Sequence, residues 1–249
     1  MIILKNKAEL TIMRDAGKIA ALAREVGGEM AKPGVTTGAI DTKIRQTIMS
    51  HGATPSFLGY GGFPGSACVS VNEQVIHGIP SDRELKEGDI VKIDVGAFYK
   101  GFHSDCAATF AVGKVSEEAE KLISVTKESF FKGIAKAVPY ARLGDISAAV
   151  QAYVEQNGFS VVREYVGHGV GRDLHEDPSL PNFGTPGRGV RLRSGMTLAL
   201  EPMVNVGVYD VKVLSDNWTV VTADGKLSAH YENTFAVTDN GAVILTALA

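Results

Sequence analysis

The sequence predicts an α+β fold assembled from two related halves. Three observations carry that expectation: apolar residues recur at helical spacing in four stretches, residues 89–112 alternate like a β-hairpin, and a displacement of 106 residues brings breakers and apolar stripes into register. At 249 residues and 45% hydrophobic content, the chain can bury a large core. One domain is therefore expected over 1–249, with duplicated halves of roughly 1–113 and 114–249.

Helical periodicity runs over residues 8–30 until Pro33 and Gly34 break it, and Thr36 or Thr37 can cap a second helix that stops at Gly52. Residues 66–72 alternate as a strand, and the hairpin of 89–112 follows. A third helix is expected over 117–137, before Pro139, and a fourth over 145–156, closed by Gly158. Strands are expected at 161–165, 196–204, 218–222 and 231–238. The displacement of 106 pairs Pro33 with Pro139, Gly38 with Gly144, Ile40 with Ile146, Ile44 with Val150, Ile48 with Val154 and Gly52 with Gly158. Those are breakers, a helical stripe and a closing glycine, the positions that a shared helix geometry fixes. It also carries Asp94 to within one residue of Glu201, so each half places a carboxylate at a comparable point.

Composition argues against several function classes. A net charge of -3 gives no electrostatic footprint for nucleic acid, and no run of 18 apolar residues offers a membrane span. The opening MIILKNKAEL lacks a charged leader followed by an apolar region and a small-residue cleavage site, which favours the cytoplasm. Cys68 and Cys106 lie in no CxxC motif, and in a reducing compartment both are expected to stay thiols.

The hairpin poses a charge problem. Alternation puts Val91, Ile93, Val95 and Ala97 on one face and Asp94 on the other; in the second strand Cys106, Ala108, Phe110 and Val112 oppose His103 and Asp105. Matching the apolar faces requires opposed residue numbers to sum to an odd value, and a Tyr99-Lys100 turn makes that sum 199. Asp94 then sits directly opposite Asp105, with Cβ atoms roughly 4.5–5.5 Å apart, where like charges repel. A three-residue turn with a bulge at Gly101 gives the other parity. On these residues alone the pair is either two solvated carboxylates on an edge hairpin or oxygen ligands of a divalent cation.

Other polar residues stand where apolar ones are expected. Glu201 interrupts the apolar strand of MTLALEPMV, so it is protonated, paired or metal-bound. Glu232 lies on the polar face of HYENTFAV, glycines flank His168 in GHGVGRDLHEDP ahead of His175, and His77 stands beside Gly78 and Pro80 in VIHGIP. His175-Glu176 lacks the second histidine of an HExxH zinc helix, and GYGGFPGS lacks the Gly-Lys-Ser/Thr end of a phosphate loop. Four carboxylates and one imidazole make a hard, oxygen-rich set whose negative charges balance two divalent ions. Such an ion pair, about 3.5–4 Å apart, activates water and polarises a carbonyl. His51 and His103 read as exposed or locally bonded, and Cys106 as core.

In chain order, FLGYGGFPGSACVSVNEQVIHGIP, KIDVGAFYKGFHSDCAATF, GHGVGRDLHEDPSLPNFG, LALEPMV and WTVVTADGKLSAHYENTFAVT resemble the type I methionine aminopeptidases of the pita-bread fold, bacterial type, over nearly the whole chain. The resemblance implies a duplicated α/β unit with a curved antiparallel sheet covered by helices. It implies two divalent metal ions (Co, Mn, Fe, Zn or Ni) with Asp94, Asp105, His168, Glu201 and Glu232 as ligands, Asp94 through both oxygens and Asp105 and Glu232 as bridges. It also implies His77, His175 and Glu201 as catalytic residues, Glu201 being the proton shuttle. Besides His77 and His175, the substrate-binding residues it implies are Phe57, Tyr60, Phe63, Cys68, Leu174 and Trp218, around a methionine pocket.

The reaction so implied is removal of the N-terminal methionine from nascent proteins and peptides when the next residue is small, by dinuclear metal-assisted hydrolysis. A monomeric enzyme with nascent chains as partners and a transient ribosome contact goes with it. Leu174 stands where phenylalanine is frequent, Phe57 where bacterial members often have cysteine, and His230 and Asn233 flank Glu232 where glutamine and histidine are more usual. Two rivals stay open: an Xaa-Pro aminopeptidase of the same fold, which normally carries a further N-terminal domain, and a metal-free binding protein, which would have lost ligands.

Overall fold

The computed structural model describes residues 1–248. Its four long helices begin where local side chains can satisfy the free backbone amides. Helix α1 is Lys7–Glu29, opened by Asn6, whose side chain accepts from the amides of Ala8 and Glu9. Helix α2 is Thr37–Ser50, capped by Thr36, and α3 is Glu117–Ile134, capped by Ser116. Helix α4 is Leu143–Gln156, where the Asp145 carboxylate accepts from the Arg142 amide. The third helix stops short of residue 137, and its final turns give way before Pro139.

Nine strands form one curled antiparallel sheet. In chain order they are β1 Thr54–Pro55, β2 Cys68–Val71, β3 Ile90–Tyr99, β4 Phe102–Ala111, β5 Gly167–Gly169, β6 Glu176–Leu180, β7 Thr197–Leu200, β8 Glu232–Thr238 and β9 Gly241–Ile244. Their spatial order is β1-β3-β4-β8-β7-β5-β6, with β2 also on β3 and β9 also on β8. The hairpin β3–β4 therefore lies inside the sheet rather than on a solvated edge. Two smaller three-stranded sheets complete the chain, one of Ser160–Val161, Met203–Asn205 and Ser228–His230, the other of Gln74–Ile76, Val211–Val213 and Val220–Thr222. Among the described residues no helix is long and apolar enough to cross a membrane.

Each helix pair covers its own stretch of sheet. Ile40, Ile44 and Ile48 of α2 pack with Ile93 and Val95 of β3, while Ile146, Val150 and Val154 of α4 pack with Leu198, Leu200 and Phe235. All of these side chains are fully buried, worth about 1.5–3 kcal/mol apiece as transfer from water. Helices α2 and α4 have the same 14-residue length and are displaced by 106. A glycine sits at the same displacement in each preceding helix. A Cβ on Gly27 would crowd Ile44 and Ile93, and one on Gly133 would crowd Val150 and Leu200, so both helices approach the sheet closely at a residue without a side chain.

Several expected elements are corrected. Opposed residues in the hairpin sum to 201, not 199: Asp94 faces Ala107 and Asp105 faces Gly96. The parity is the odd one expected, but the two-residue turn is Lys100-Gly101 rather than Tyr99-Lys100. Both turn residues take positive φ, +48° and +88°, the combination that matches the twist of the flanking strands. The expected strand at 161–165 keeps only Ser160–Val161, because Arg163 stacks its guanidinium on Tyr209, and Tyr165 meets His77 edge to face. The expected strand at 196–204 divides at Glu201-Pro202, since proline has no amide to give to a ladder. Strands β5 and β6 and the two outer strands Val211–Val213 and Ser228–His230 were not expected from the sequence.

Lys100 holds a left-handed conformation that costs a side-chain-bearing residue on the order of 1 kcal/mol. Lys100→Asn should move the denaturation midpoint toward higher denaturant, and Gly101→Ala should move it the opposite way.

Candidate metal centre

Five side chains expected from the sequence converge on one face of the curled sheet. Asp94 and Asp105 are diagonal neighbours across β3 and β4, and Glu232 of β8 pairs with Ala107, the residue that also pairs with Asp94. Small residues sit between the carboxylates. Gly96 lies opposite Asp105, where a Cβ would press on Ser56 and Phe57. Thr234 joins the strands, its hydroxyl accepting from the Asp105 amide at 2.9 Å and donating to the Asp105 carbonyl at 2.8 Å.

From the other half, His168 of β5 pairs with Ala199 of β7, and Glu201 follows directly where Pro202 ends that strand. The buried Asn182 amide donates to the Glu201 carbonyl at 2.9 Å, fixing the break. His168 Nδ1 lies 2.8 Å from the Gly169 carbonyl, an acceptor, so Nδ1 carries the proton and Nε2 presents its lone pair. That Nε2 lies 3.6 Å from Glu201 Oε1 and 4.0 Å from Asp105 Oδ2.

These groups are short of partners. Asp94 Oδ1, Asp105 Oδ1 and Glu232 Oε1 are buried without a hydrogen bond, and among the described residues no lysine or arginine pairs with any of the four carboxylates. Burial, the largest cause, pushes Asp94 up to about 7. Burial and the neighbouring carboxylates hold Asp105, Glu201 and Glu232 well above the usual range. Burial first and the nearby His175 second lower His168 to about 4, leaving it neutral. One donor atom each from Asp105, His168 and Glu232 lies within 4.8 Å of the others. Orphaned oxygens, an aimed imidazole lone pair and missing countercharge are what a divalent cation satisfies, so the donor set fits one.

The carboxylates floor a cleft of about 860 Å³ whose lining includes all thirteen site residues expected from the sequence. Phe57, Phe63, Cys68 and Leu174 cluster as one apolar wall with Trp218 packed against it, and Trp218 meets Phe63 edge to face at 5.1 Å. Cys68 is the cross-strand partner of Asp94, so this wall touches the cage directly. His77, at φ +57°, stands between Tyr165 and Trp218 with ring centroids at 5.8 and 6.2 Å. His175 faces the cleft 4.2 Å from the His168 ring, its Nδ1 2.7 Å from the Tyr60 hydroxyl.

Sequence reasoning missed Tyr165, Asn182 and Thr234. Tyr165 falls in the expected strand 161–165, just ahead of the GHG motif, and Asn182 lies within GHGVGRDLHEDPSLPNFG with no role implied for it. Thr234, two residues after Glu232, carried no signal at all. His103, expected to be exposed or locally bonded, is half-buried and bonded to a residue distant in sequence. His103 bonds Ser56 and His51 bonds the Thr47 carbonyl, while the buried Cys106 thiol points at the Val95 carbonyl. His230 is buried with Nε2 3.9 Å from Glu232, and Asn233 accepts from Arg24 and Thr246.

A family model for metallopeptidase family M24 matches residues 11–239. A methionine aminopeptidase of Clostridium perfringens is 62% identical over 246 residues, covering 99% of each chain. Methionine aminopeptidase 1 of Bacillus subtilis is 56% identical with the same coverage. The crystal structure of a methionine aminopeptidase from Thermotoga maritima superposes with a TM-score of 0.97 at 48% identity, over 99% of both chains.

The raised carboxylates have a signed consequence for stability. Between the usual Asp value of 3.8 and the folded value of about 7, the metal-free folded state holds a proton at Asp94 that the unfolded state has released. Asp94 therefore costs the metal-free protein stability increasingly as pH rises through that window. In chelator, thermal denaturation should find Asp94→Asn more stable than the parent at pH 8 and equal to it near pH 4. A divalent ion should reverse the order at pH 8.

Proposed function

The chain belongs to metallopeptidase family M24, and on that premise we propose that it removes the N-terminal methionine from nascent proteins and peptides, preferentially when the next residue is small. The observation that carries the reading is the adjacency of an aromatic, thiol-bearing wall to a cage of metal-ligating carboxylates. A flexible thioether suits a wall of Phe57, Phe63, Cys68 and Trp218, which selects by shape and contact rather than by charge. Leu174 and Phe57 set its contour in this chain.

Asp94, Asp105, His168, Glu201 and Glu232 would hold two divalent ions. When bound, such a pair supplies an activated water and Lewis-acid polarisation of the scissile carbonyl. The remaining work falls to the chain's own side chains. Glu201, which lines the cleft beside His168, is placed to take a proton from the attacking water on its carboxylate and pass it to the leaving amine. The Tyr60 hydroxyl lies 2.7 Å from His175 Nδ1, and with that hydroxyl as donor Nε2–H is left to serve the oxygen of the scissile peptide. His77, lowered to about 4 by burial and then by His175, is a neutral hydrogen-bonding group that steadies the peptide beyond the scissile bond.

The reading includes duplication of halves 1–113 and 114–249 within one domain. The equal helices α2 and α4 and the matched close approaches at Gly27 and Gly133 support it. It also includes a monomer acting on nascent chains with a transient ribosome contact. The free thiols of Cys68 and Cys106 suit a reducing cytoplasm.

Met-Ala-Ser, assayed against Xaa-Pro peptides after chelation and reloading with Mn(II) or Co(II), should be the cleaved substrate. Preference for the Xaa-Pro peptides would overturn the assignment. His175→Ala should lower turnover about 10²-fold or more with metal content intact, and Asp105→Ala should lose both activity and metal.

A further inference from the structure

The loop that delivers His175 to the cleft is folded around a carboxylate that has no place in the chemistry above. Glu176, the next residue, turns its side chain back under the loop, where Oε1 accepts from the amides of Arg172 at 2.8 Å and Asp173 at 3.4 Å. The turn is closed further by the Gly171 amide on the Asp173 carbonyl, and it is tied to the hairpin by the His103 amide on the Gly171 carbonyl. Glu176 is a buried charge, its side chain 4% exposed. Its other oxygen receives the ammonium of Lys5, which is equally buried and also donates to the Ile3 carbonyl.

Lys5 comes from the far end of the chain. Its own amide donates to the Gly195 carbonyl, and the next residue, Asn6, caps α1, so the ammonium is delivered from a fixed backbone. Gly171 completes the fit, since a Cβ there would collide with both the Glu176 carboxylate and the Lys5 side chain. The bond network thus runs from the start of α1, through one buried ion pair, to the turn whose end is His175.

We propose that Lys5 is a positioning residue for His175: by neutralising Glu176 it holds the 171–175 turn closed and sets the His175 ring against His168 and Tyr60. The proposal rests on the reaction assigned above for its kinetic readout but not for its structural one. A buried carboxylate left without its cation seeks water, and the turn built on it opens. His175 then loses its place while the carboxylates of Asp94 on β3, Asp105 on β4, Glu232 on β8 and Glu201 just after β7 keep theirs, and His168 stays held by its pairing with Ala199 of β7. The effect belongs in turnover, because a displaced donor is felt where charge develops on the substrate oxygen.

Three variants test this. Lys5→Met should lower kcat on Met-Ala-Ser at least about tenfold, with KM within about twofold and metal stoichiometry unchanged. In the metal-free protein the His175 imidazole resonances should shift. Lys5→Met combined with Glu176→Gln removes both charges yet keeps an oxygen for the two amides, and it should restore kcat and the His175 resonances. Gly171→Ala, which forces the same pair apart from the loop side, should reproduce the Lys5→Met signature and serves if that variant does not fold. Wild-type kcat with unmoved His175 resonances in folded Lys5→Met would overturn the proposal, as would loss of metal alongside turnover. If the parent does not cleave Met-Ala-Ser, the assigned reaction fails while the resonances still decide the clamp.

Discussion

Four carboxylates on one face of a sheet, Asp105 and Glu232 buried and Asp94 and Glu201 partly so, with no lysine or arginine paired to them among the described residues, are the constraint around which this protein is built. Each would be expensive alone, and together they repel. The protein on its own meets that cost by protonation, which is why all four carboxyls sit above their usual range. A divalent cation meets it by chelation. The same oxygens are therefore a liability when empty and the source of reactivity when filled.

The rest of the fold can be understood as support for that face. Two helix pairs, each with its own apolar cluster, press the sheet from the opposite side and leave the carboxylate face free. Gly96 and Ala107 keep the space between carboxylates open, and Thr234 locks the strand of Asp105 to the strand of Glu232. Proline at position 202 ends a strand one residue after Glu201, so the break in the ladder and the ligand are a single event in the chain. The apolar wall begins at Cys68, directly across from Asp94, which places it side by side with the carboxylates.

What was legible in the sequence followed from local rules. Helix boundaries were readable where Thr36 and Gly158 act on their immediate neighbours, less so before Pro139, where the helix ends at Ile134, and the odd parity of the hairpin followed from matching apolar faces. The turn itself was not legible, since nothing local says that Lys100 adopts positive φ. Residues 161–165 alternate as a strand should, yet Arg163 and Tyr165 leave the ladder for distant partners, Tyr209 and His77. Strands β5 and β6 were hidden by glycines and by Pro178, which lower strand propensity whatever the tertiary context then imposes. The expected site residues rest on an ordered set of motifs, and the folded chain brings all of them to one cleft. Asn182, Thr234 and the Lys5–Glu176 pair, 171 positions apart, are supporting contacts that only the folded chain brings together.

The central claim is that the empty cage holds protons that a cation must displace. Calorimetric titration of the metal-stripped protein with Mn(II) near pH 6.5, repeated in two buffers of different ionisation enthalpy, counts those protons. Net proton release on binding, vanishing as pH is raised well above the folded values, is the predicted result. Binding with no proton release at any pH, or no binding at all, would contradict the account.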